Sequence, residues 1–162
     1  MAEQETKALP ADSRALGLDA QLCFALYSAQ LAMGKIYRQQ LAGLGLTYPQ
    51  YLVMLVLWET DGLTVSVLGD RLYLDSATLT PLLKRLQSLG LLSRNRNQAD
   101  QRQVLVSLTP AGRALQNQAQ VIPHGVLCAT GCSPDQAQVL KSSLETLRAH
   151  LLHAAIENPA MQ

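Results

Sequence analysis

The residues best suited to redox chemistry are three cysteines, Cys23, Cys128 and Cys132. A thiol attacks a peroxide as its thiolate, which hydrogen-bond donors or positive potential must stabilise. Cys23 falls in the first turns of a predicted helix, where the helix dipole favours an anion. Tyr27 follows four residues later, so its hydroxyl lies on the same helical face. A lone cysteine in a helix rich in alanine and leucine is more often a small buried hydrophobe, so from these residues alone an apolar core position is favoured over a sensing thiol for Cys23.

Cys128 and Cys132 offer a second step of the same chemistry. A thiolate oxidised by a peroxide becomes a sulfenic acid, which another thiol traps as a disulfide. Both cysteines follow Pro123, His124 and Gly125, a combination that predicts an interrupted, flexible stretch and places Cys128 in a loop. The spacing of Cys128 and Cys132 is tolerable for metal ligands, but His124 and the distant His150 and His153 do not complete a convincing site. No phosphate-binding glycine loop occurs. We therefore expect no metal and no cofactor.

A polar helix followed by a basic hairpin indicates a different chemistry, the binding of nucleic acid. Asp75 is suited to cap a helix that continues through Leu89 and stops at Gly90. A shorter helical pattern, Thr64–Leu72, precedes it. The second helix has an apolar face formed by Leu79, Leu82, Leu83 and Leu86. Two helices joined by a short turn, the second with a polar outward face, predict a helix-turn-helix.

After Gly90 the sequence pattern changes from helical to alternating. Leu91–Arg94 and Val104–Leu108 predict two strands, and the polar loop between them predicts a wing. The net charge of the whole chain is only +1. From position 84 to position 113, however, six basic residues face a single acidic one. Helix, wing and local charge together predict a winged helix-turn-helix that binds double-stranded DNA.

Individual DNA contacts follow from that prediction. We expect the second helix to lie in the major groove and the wing, Arg96–Gln103, in the minor groove. Arg102 is the candidate for the minor groove, and Asp100 is expected to orient it, because a carboxylate beside phosphate is unfavourable. The remaining candidates for base or phosphate contacts are Ser76, Thr78, Thr80, Lys84, Arg85, Arg94 and Arg96.

Composition bounds the rest of the molecule. With 162 residues, 48% of them hydrophobic and 4% aromatic, the chain is long enough for one integrated domain and favours helices. The predicted fold class is mainly α with a small β-hairpin wing, an α+β arrangement. No apolar run is long enough to span a bilayer, and residues 1–17 predict a flexible segment without the apolar core of a signal peptide. We expect a cytoplasmic protein that does not contact a membrane.

The two ends of the chain predict self-association. A long amphipathic helix is expected from about Asp19 to about Ala42, and the last helix begins at Ser133-Pro134 and carries a leucine stripe. Both apolar stripes lie outside the winged helix-turn-helix at 47–108. We therefore assign 18–46 and 109–156 to a dimerisation region. A homodimer matches a palindromic operator, since both have twofold symmetry.

Four stretches of the sequence are familiar. They are Leu72–Leu86, which contains Leu-Asp-Ser-Ala-Thr-Leu-Thr-Pro-Leu-Leu-Lys-Arg-Leu, then Asp100-Gln101-Arg102, Leu108–Gly112, and the surroundings of the first cysteine, Leu22–Ala29. Together they resemble the MarR family of bacterial repressors, and within it the OhrR-like sensors of organic hydroperoxides. The resemblance covers about residues 18–151. It implies a DNA-binding repressor and not an enzyme.

For the cysteines the resemblance implies specific roles. OhrR-like proteins hold the reactive cysteine at the subunit interface with tyrosines from the partner, which here match Cys23, Tyr37 and Tyr48, and Tyr27 is a further hydrogen-bond candidate. Cys128 matches the resolving cysteine of the two-cysteine type. The implied oxidised state is an intersubunit Cys23–Cys128 disulfide. Cys132 is then a spare thiol, and a Cys128–Cys132 pair is the weaker rival.

Under this resemblance an organic hydroperoxide is the inducer, and oxidation releases the operator. The alternative is a MarR-type repressor released by a small phenolic or other ligand, in which Cys23 is incidental. The two hypotheses differ in the effect of Cys23→Ser, which leaves release intact only in the alternative. A thiol peroxidase is disfavoured because such an enzyme has no use for the winged region.

Overall fold

The computed structural model describes residues 16–96, 100 and 102–157. In this part of the chain, the structure is mostly α-helical with one small antiparallel sheet, which confirms the predicted fold class. The helices are α1 (Leu22–Leu41), α2 (Tyr48–Glu59), α3 (Val65–Leu72), α4 (Ser76–Ser88), α5 (Pro110–Ala119), α6 (Ile122–Thr130) and α7 (Pro134–Glu157). The strands are β1 (Leu63–Thr64), β2 (Leu92–Arg96) and β3 (Val104–Leu108). Most of the segment 1–17, predicted to be flexible, lies outside the described residues.

Local hydrogen bonds fix the start of α2, the central helix of the core. Thr47 and Gln50 form a capping box, in which the Gln50 side chain accepts a hydrogen bond from the Thr47 backbone N–H at 2.9 Å. Pro49 occupies the first turn, where its missing N–H costs nothing. The helix is apolar nearly all round, and the side chains of Val53, Met54 and Leu57 are fully buried. Helices α3 and α4 pack against α2 and contribute Leu68, Leu79, Leu83 and Leu86 to the same core.

The sheet has the order β1-β3-β2, and both pairs are antiparallel. The hairpin register runs from Leu92 opposite Leu108 to Arg96 opposite Val104. β1 was not predicted, because two residues are too short to show an alternating pattern. Asp61 lies beside this strand and accepts a hydrogen bond from the Leu108 backbone N–H at 2.8 Å. Its other carboxylate oxygen lies 2.8 Å from the Arg113 guanidinium, so Asp61 joins the sheet to α5.

The interruption predicted around Pro123 and Gly125 lies slightly earlier, at Gln120 and Val121 between α5 and α6, and both Pro123 and Gly125 lie inside the regular helix α6. Pro123 is in the first turn, where proline is tolerated. A Cβ atom on Gly125 would lie 2.8 Å from Oε1 of Gln40, so glycine lets α6 pack closely against α1. Cys128 consequently lies in the last turn of a helix and not in a loop.

The N-cap of α4 is expected to stabilise the protein. The pKa of Asp75 is lowered because its carboxylate accepts the Thr78 backbone N–H at 2.6 Å. The contribution is therefore present above the unfolded carboxyl pKa of about 3.9 and is lost as the pH falls through the lower folded value. Asp75→Ala should lower the Tm measured by circular dichroism at pH 7. Asp75→Asn should retain most of the stabilisation that the cap provides. A Tm for Asp75→Ala equal to that of the wild type would contradict this prediction.

Candidate functional site

The polar face of α4 is open to solvent, and its exposed candidates are Ser76, Thr78, Lys84 and Arg85. Thr80 is only half-buried and not fully outward as expected, and its hydroxyl donates to the Ser76 carbonyl at 2.6 Å. The face presents two positive charges and three hydroxyl groups. Such a combination suits contacts to phosphates and base edges.

The wing is joined to α4 by a side-chain hydrogen bond that the sequence did not reveal. Nε of Arg94 donates to Oε1 of Gln87 at 2.7 Å, which places the Arg94 side chain between helix and wing. Arg96 is exposed at the end of β2. A groove of about 620 Å³ runs between α4 and the wing, and its lining includes Ser76, Thr80, Arg94 and Arg102. The structure thus brings candidates from helix and wing to one surface.

Asp100 organises the backbone of the wing turn. Its carboxylate accepts the Arg102 backbone N–H at 3.0 Å, and its carbonyl accepts the Gln103 backbone N–H at 2.9 Å. The expected orienting effect on Arg102 therefore acts through the main chain. The Arg102 side chain is exposed and is available to a ligand. The neighbouring wing residues 97–99 and 101 lie outside the described residues.

The last helix reaches the turn between α3 and α4. Tyr73 caps the end of α3 in the left-handed region at φ 56°. The guanidinium carbon of Arg148 in α7 lies 4.7 Å from the centroid of the Tyr73 ring, a cation–π distance. No sequence signal links residues this far apart. The contact joins the predicted dimerisation region directly to the helix-turn-helix.

Cys23 lies exposed in the first turn of α1, and it is not part of the core of its own subunit. Four further residues of α1 follow it at helical spacing on one face, namely Tyr27, Leu31, Gly34 and Arg38. Tyr27 is 58% exposed and Leu31 is 52% exposed. The same four residues line a groove of about 590 Å³ that extends to Tyr48. Cys23 therefore stands at one end of an open, partly apolar face.

Two tyrosines are paired at the other end of that face. The ring centroids of Tyr37 and Tyr48 are 4.1 Å apart, and Tyr51 lies 6.1 Å from Tyr37. Burial, with a smaller contribution from the neighbouring phenols, raises the pKa of Tyr37 to about 12. Burial also raises the pKa of Tyr48. Both hydroxyl groups therefore keep their protons at neutral pH, and the two phenols are hydrogen-bonded to each other.

Cys128 is exposed on α6, and its neighbour is a histidine. The Cys128 Sγ atom lies 3.8 Å from Nδ1 and 3.9 Å from Nε2 of His124. This pair was not predicted, because the segment was expected to be a flexible loop, whereas residues four apart on a helix are neighbours. Cys132 is half-buried beyond the left-handed Gly131, with its thiol 3.9 Å from the Thr130 carbonyl oxygen.

Apolar side chains remain uncovered at both ends of the chain. None of the residues of α7 is buried, and Val139, Leu140, Leu144, Leu151 and Leu152 are exposed. A groove of about 410 Å³ separates α7 from Leu26 of α1. No single helix among the described residues is long and apolar enough to cross a membrane. One bent pair, formed by α1 with its following turn and by α2, is long and apolar enough when the two helices are taken together.

Comparison with known proteins identifies the family. Residues 35–119 match the family described as transcriptional regulator SarA/Rot. The chain is 51% identical over 134 residues to the HTH-type transcriptional regulator TtmR of Methylorubrum extorquens, covering 83% of this chain and 69% of that protein. It is 48% identical over 130 residues to the organic hydroperoxide resistance transcriptional regulator of Bacillus subtilis, covering 80% of this chain and 88% of that protein.

The fold is also similar to AbfR of Staphylococcus epidermidis. The reduced, DNA-bound form of AbfR is 34% identical, with a TM-score of 0.71 over 87% of this chain and 99% of that chain. The disulfide-formed state is 35% identical, with a TM-score of 0.59 over 84% and 96%. These relatives are regulators and not enzymes. The chain therefore belongs to the SarA/Rot family of winged-helix, MarR-like regulators and is a DNA-binding transcriptional regulator.

Proposed function

We propose that this regulator is a homodimeric repressor that leaves a palindromic operator when an organic hydroperoxide oxidises Cys23. The observation that carries the proposal is the open face of α1, which has the exposed thiol of Cys23 at one end and the paired phenols of Tyr37 and Tyr48 at the other. The 48% identity to the Bacillus organic hydroperoxide resistance regulator supports the same class of inducer.

The separation along α1 requires a second subunit. Cys23 and Tyr37 belong to one continuous helix and are roughly 21 Å apart at about 1.5 Å per residue. Gln30 lies midway between them and lines the groove. Two α1 helices paired antiparallel about this residue would bring Cys23 opposite Tyr37 of the partner subunit. Gly34 leaves space for the approach, and the uncovered leucines of α7 supply further apolar surface for the dimer.

The chemistry needs only the thiols and the hydroperoxide. The Cys23 thiolate attacks the distal oxygen of ROOH, so an S–O bond forms, the O–O bond breaks, and the alkoxide leaves as ROH after taking a proton. The sulfur becomes a sulfenic acid. The thiol of Cys128 in the partner subunit then attacks that sulfur, forming an S–S bond and releasing water. Protonated Tyr37 and Tyr48 are suited to stabilise the initial thiolate by hydrogen bonds.

Loss of DNA binding follows from the geometry of a twofold complex. Both recognition helices must reach their half-sites together, so a changed spacing between subunits weakens binding. The Arg148–Tyr73 contact gives the dimer region a direct path to the start of α4.

The proposal is tested with stoichiometric cumene hydroperoxide and a duplex that the reduced protein selects from a random library. Wild type should form a covalent dimer on a non-reducing gel and release the duplex in fluorescence anisotropy, and dithiothreitol should reverse both effects. Cys23→Ser should abolish both responses because it removes the attacking thiolate. Cys128→Ser should abolish the covalent dimer.

Cys132→Ser is the matched control and should behave as the wild type. If Cys23→Ser still released DNA on addition of the hydroperoxide, sensing by this thiol would be wrong. If wild type released DNA without a covalent dimer, the resolving role of Cys128 would be wrong and a single-cysteine sensor would remain.

A further inference from the structure

The histidine beside Cys128 suggests a function for the second thiol. His124 and Cys128 lie one turn apart on α6, and both side chains are exposed. Both ring nitrogens of His124 lie within 4 Å of the sulfur, at 3.8 and 3.9 Å. Neutral imidazole always carries one nitrogen without a hydrogen. Whichever tautomer is present, a nitrogen with a free lone pair therefore lies within 4 Å of the Cys128 sulfur, and a rotation of the exposed imidazole ring would aim it at the thiol.

Other charged groups do not compete for this pair. Among the described residues, neither His124 nor Cys128 forms an ion pair. α1 is the helix that packs most closely on α6. The titratable residues in the second half of α1 are Lys35, Tyr37 and Arg38. Lys35 and Arg38 line the groove of about 590 Å³ that extends to Tyr48. Tyr37 stacks on Tyr48. The thiol of Cys132 is directed to the Thr130 carbonyl.

We propose that His124 accepts the proton of the Cys128 thiol and so activates it as the resolving nucleophile. The resulting thiolate attacks the sulfenic sulfur of Cys23 in the partner subunit, the S–S bond forms and the S–O bond breaks. The proton held by His124 then goes to the leaving hydroxide, which departs as water. The oxidant is the organic hydroperoxide that formed the sulfenic acid. The role of His124 in forming the disulfide rests on the proposed function. Its effect on the reactivity of the Cys128 thiol can be measured independently of that function.

The first experiment isolates Cys128 in a Cys23→Ser/Cys132→Ser background and follows its alkylation by iodoacetamide, with no peroxide present. His124→Gln keeps polarity but removes the basic nitrogen. It should slow alkylation about tenfold at pH 7, which is less than the roughly 10²- to 10⁴-fold that a positioned general base contributes in an enzyme. The two rates should converge at alkaline pH, where hydroxide removes the thiol proton without help from the histidine.

Two variants guard against a purely structural effect. His124→Ala should be slow at pH 7 and should recover when imidazole is added to the buffer, which a packing defect would not do. His150→Gln makes the same change at an exposed histidine of α7 and should leave the rate unchanged. If the His124→Gln substitution left the rate at pH 7 unchanged, or slowed alkylation by the same factor at every pH, the proposal would be overturned.

The second experiment uses the full chain and cumene hydroperoxide, with dimedone to trap the Cys23 sulfenic acid. His124→Gln should form the sulfenic acid at the wild-type rate and the intersubunit disulfide about tenfold more slowly. A disulfide that appears at the wild-type rate would overturn the role of His124 in resolution. If no sulfenic acid forms in the wild type, the proposed function fails, and the alkylation result still decides whether His124 activates Cys128.

Discussion

Gly112→Ala is expected to lower the Tm by roughly 10 °C, corresponding to about 3 kcal/mol for a chain of this size. A Cβ atom at Gly112 would overlap the carbonyl oxygen of Leu91 and would lie 3.2 Å from Cδ2 of Leu108. The backbone cannot move away, because the Gly112 carbonyl accepts the Trp58 indole N–H at 2.9 Å. The backbone N–H of Gly112 also donates to the Thr109 hydroxyl at 3.0 Å. Thermal unfolding followed by circular dichroism measures the effect.

Gly43→Ala is the matched control for this substitution. Nothing lies within 4 Å of a Cβ atom at Gly43, and its φ is not in the left-handed region. Its Tm should remain within about 2 °C of the wild type, since surface substitutions usually change stability by less than about 0.5 kcal/mol. A Gly112→Ala protein as stable as Gly43→Ala would show that α5 can shift away from Leu91.

Arg102→Ala is expected to weaken operator binding about 30-fold, or roughly 2 kcal/mol, if the wing enters the minor groove as proposed. Asp100 fixes the backbone of the turn through the Arg102 N–H, so the exposed guanidinium starts from an ordered position. Removing the side chain should leave this backbone hydrogen bond intact. The loss should therefore appear in DNA affinity, measured by fluorescence anisotropy, with the Tm unchanged.

Two controls separate the position of the charge from its amount. Lys141→Ala removes one positive charge from α7, where Lys141 pairs with Glu145 at 2.7 Å, and should change affinity little. Arg102→Lys keeps the charge but loses the planar fork of donors, and an intermediate affinity is expected. Equal losses for Arg102→Ala and Lys141→Ala would mean that only net charge matters.

The elements predicted well are those whose evidence lies within one or two turns of chain. Asp75 caps α4 through a residue three positions away, and Thr47 and Gln50 cap α2 at the same spacing. The apolar face of α4 is confirmed where Leu79, Leu83 and Leu86 are buried, although Leu82 is only partly buried. Such hydrogen bonds and faces form wherever the helix forms, so the sequence was sufficient to predict them.

The element predicted badly shows the limit of this reasoning. Pro123 and Gly125 break helices in many contexts, but here proline lies in the first turn and glycine faces Gln40 of another helix. A loop does not make residues four apart neighbours, so the loop predicted for this segment did not place His124 beside Cys128. The break occurs at Gln120 and Val121 instead, and α6 continues through Pro123 and Gly125 where it packs on α1.

Caps, periodicity and local charge are short-range properties of a chain. For that reason the amino-acid sequence was enough to predict the winged helix-turn-helix and the residue types available for DNA and thiol chemistry, whereas the family was predicted from the resemblance of four motifs to known proteins. Which distant groups meet became visible only in the folded protein, where Tyr37 stacks on Tyr48, Arg148 lies over Tyr73, and Gly112 brings α5 against Leu91. Such contacts depend on how helices pack, and close packing is set by the shapes of both surfaces together.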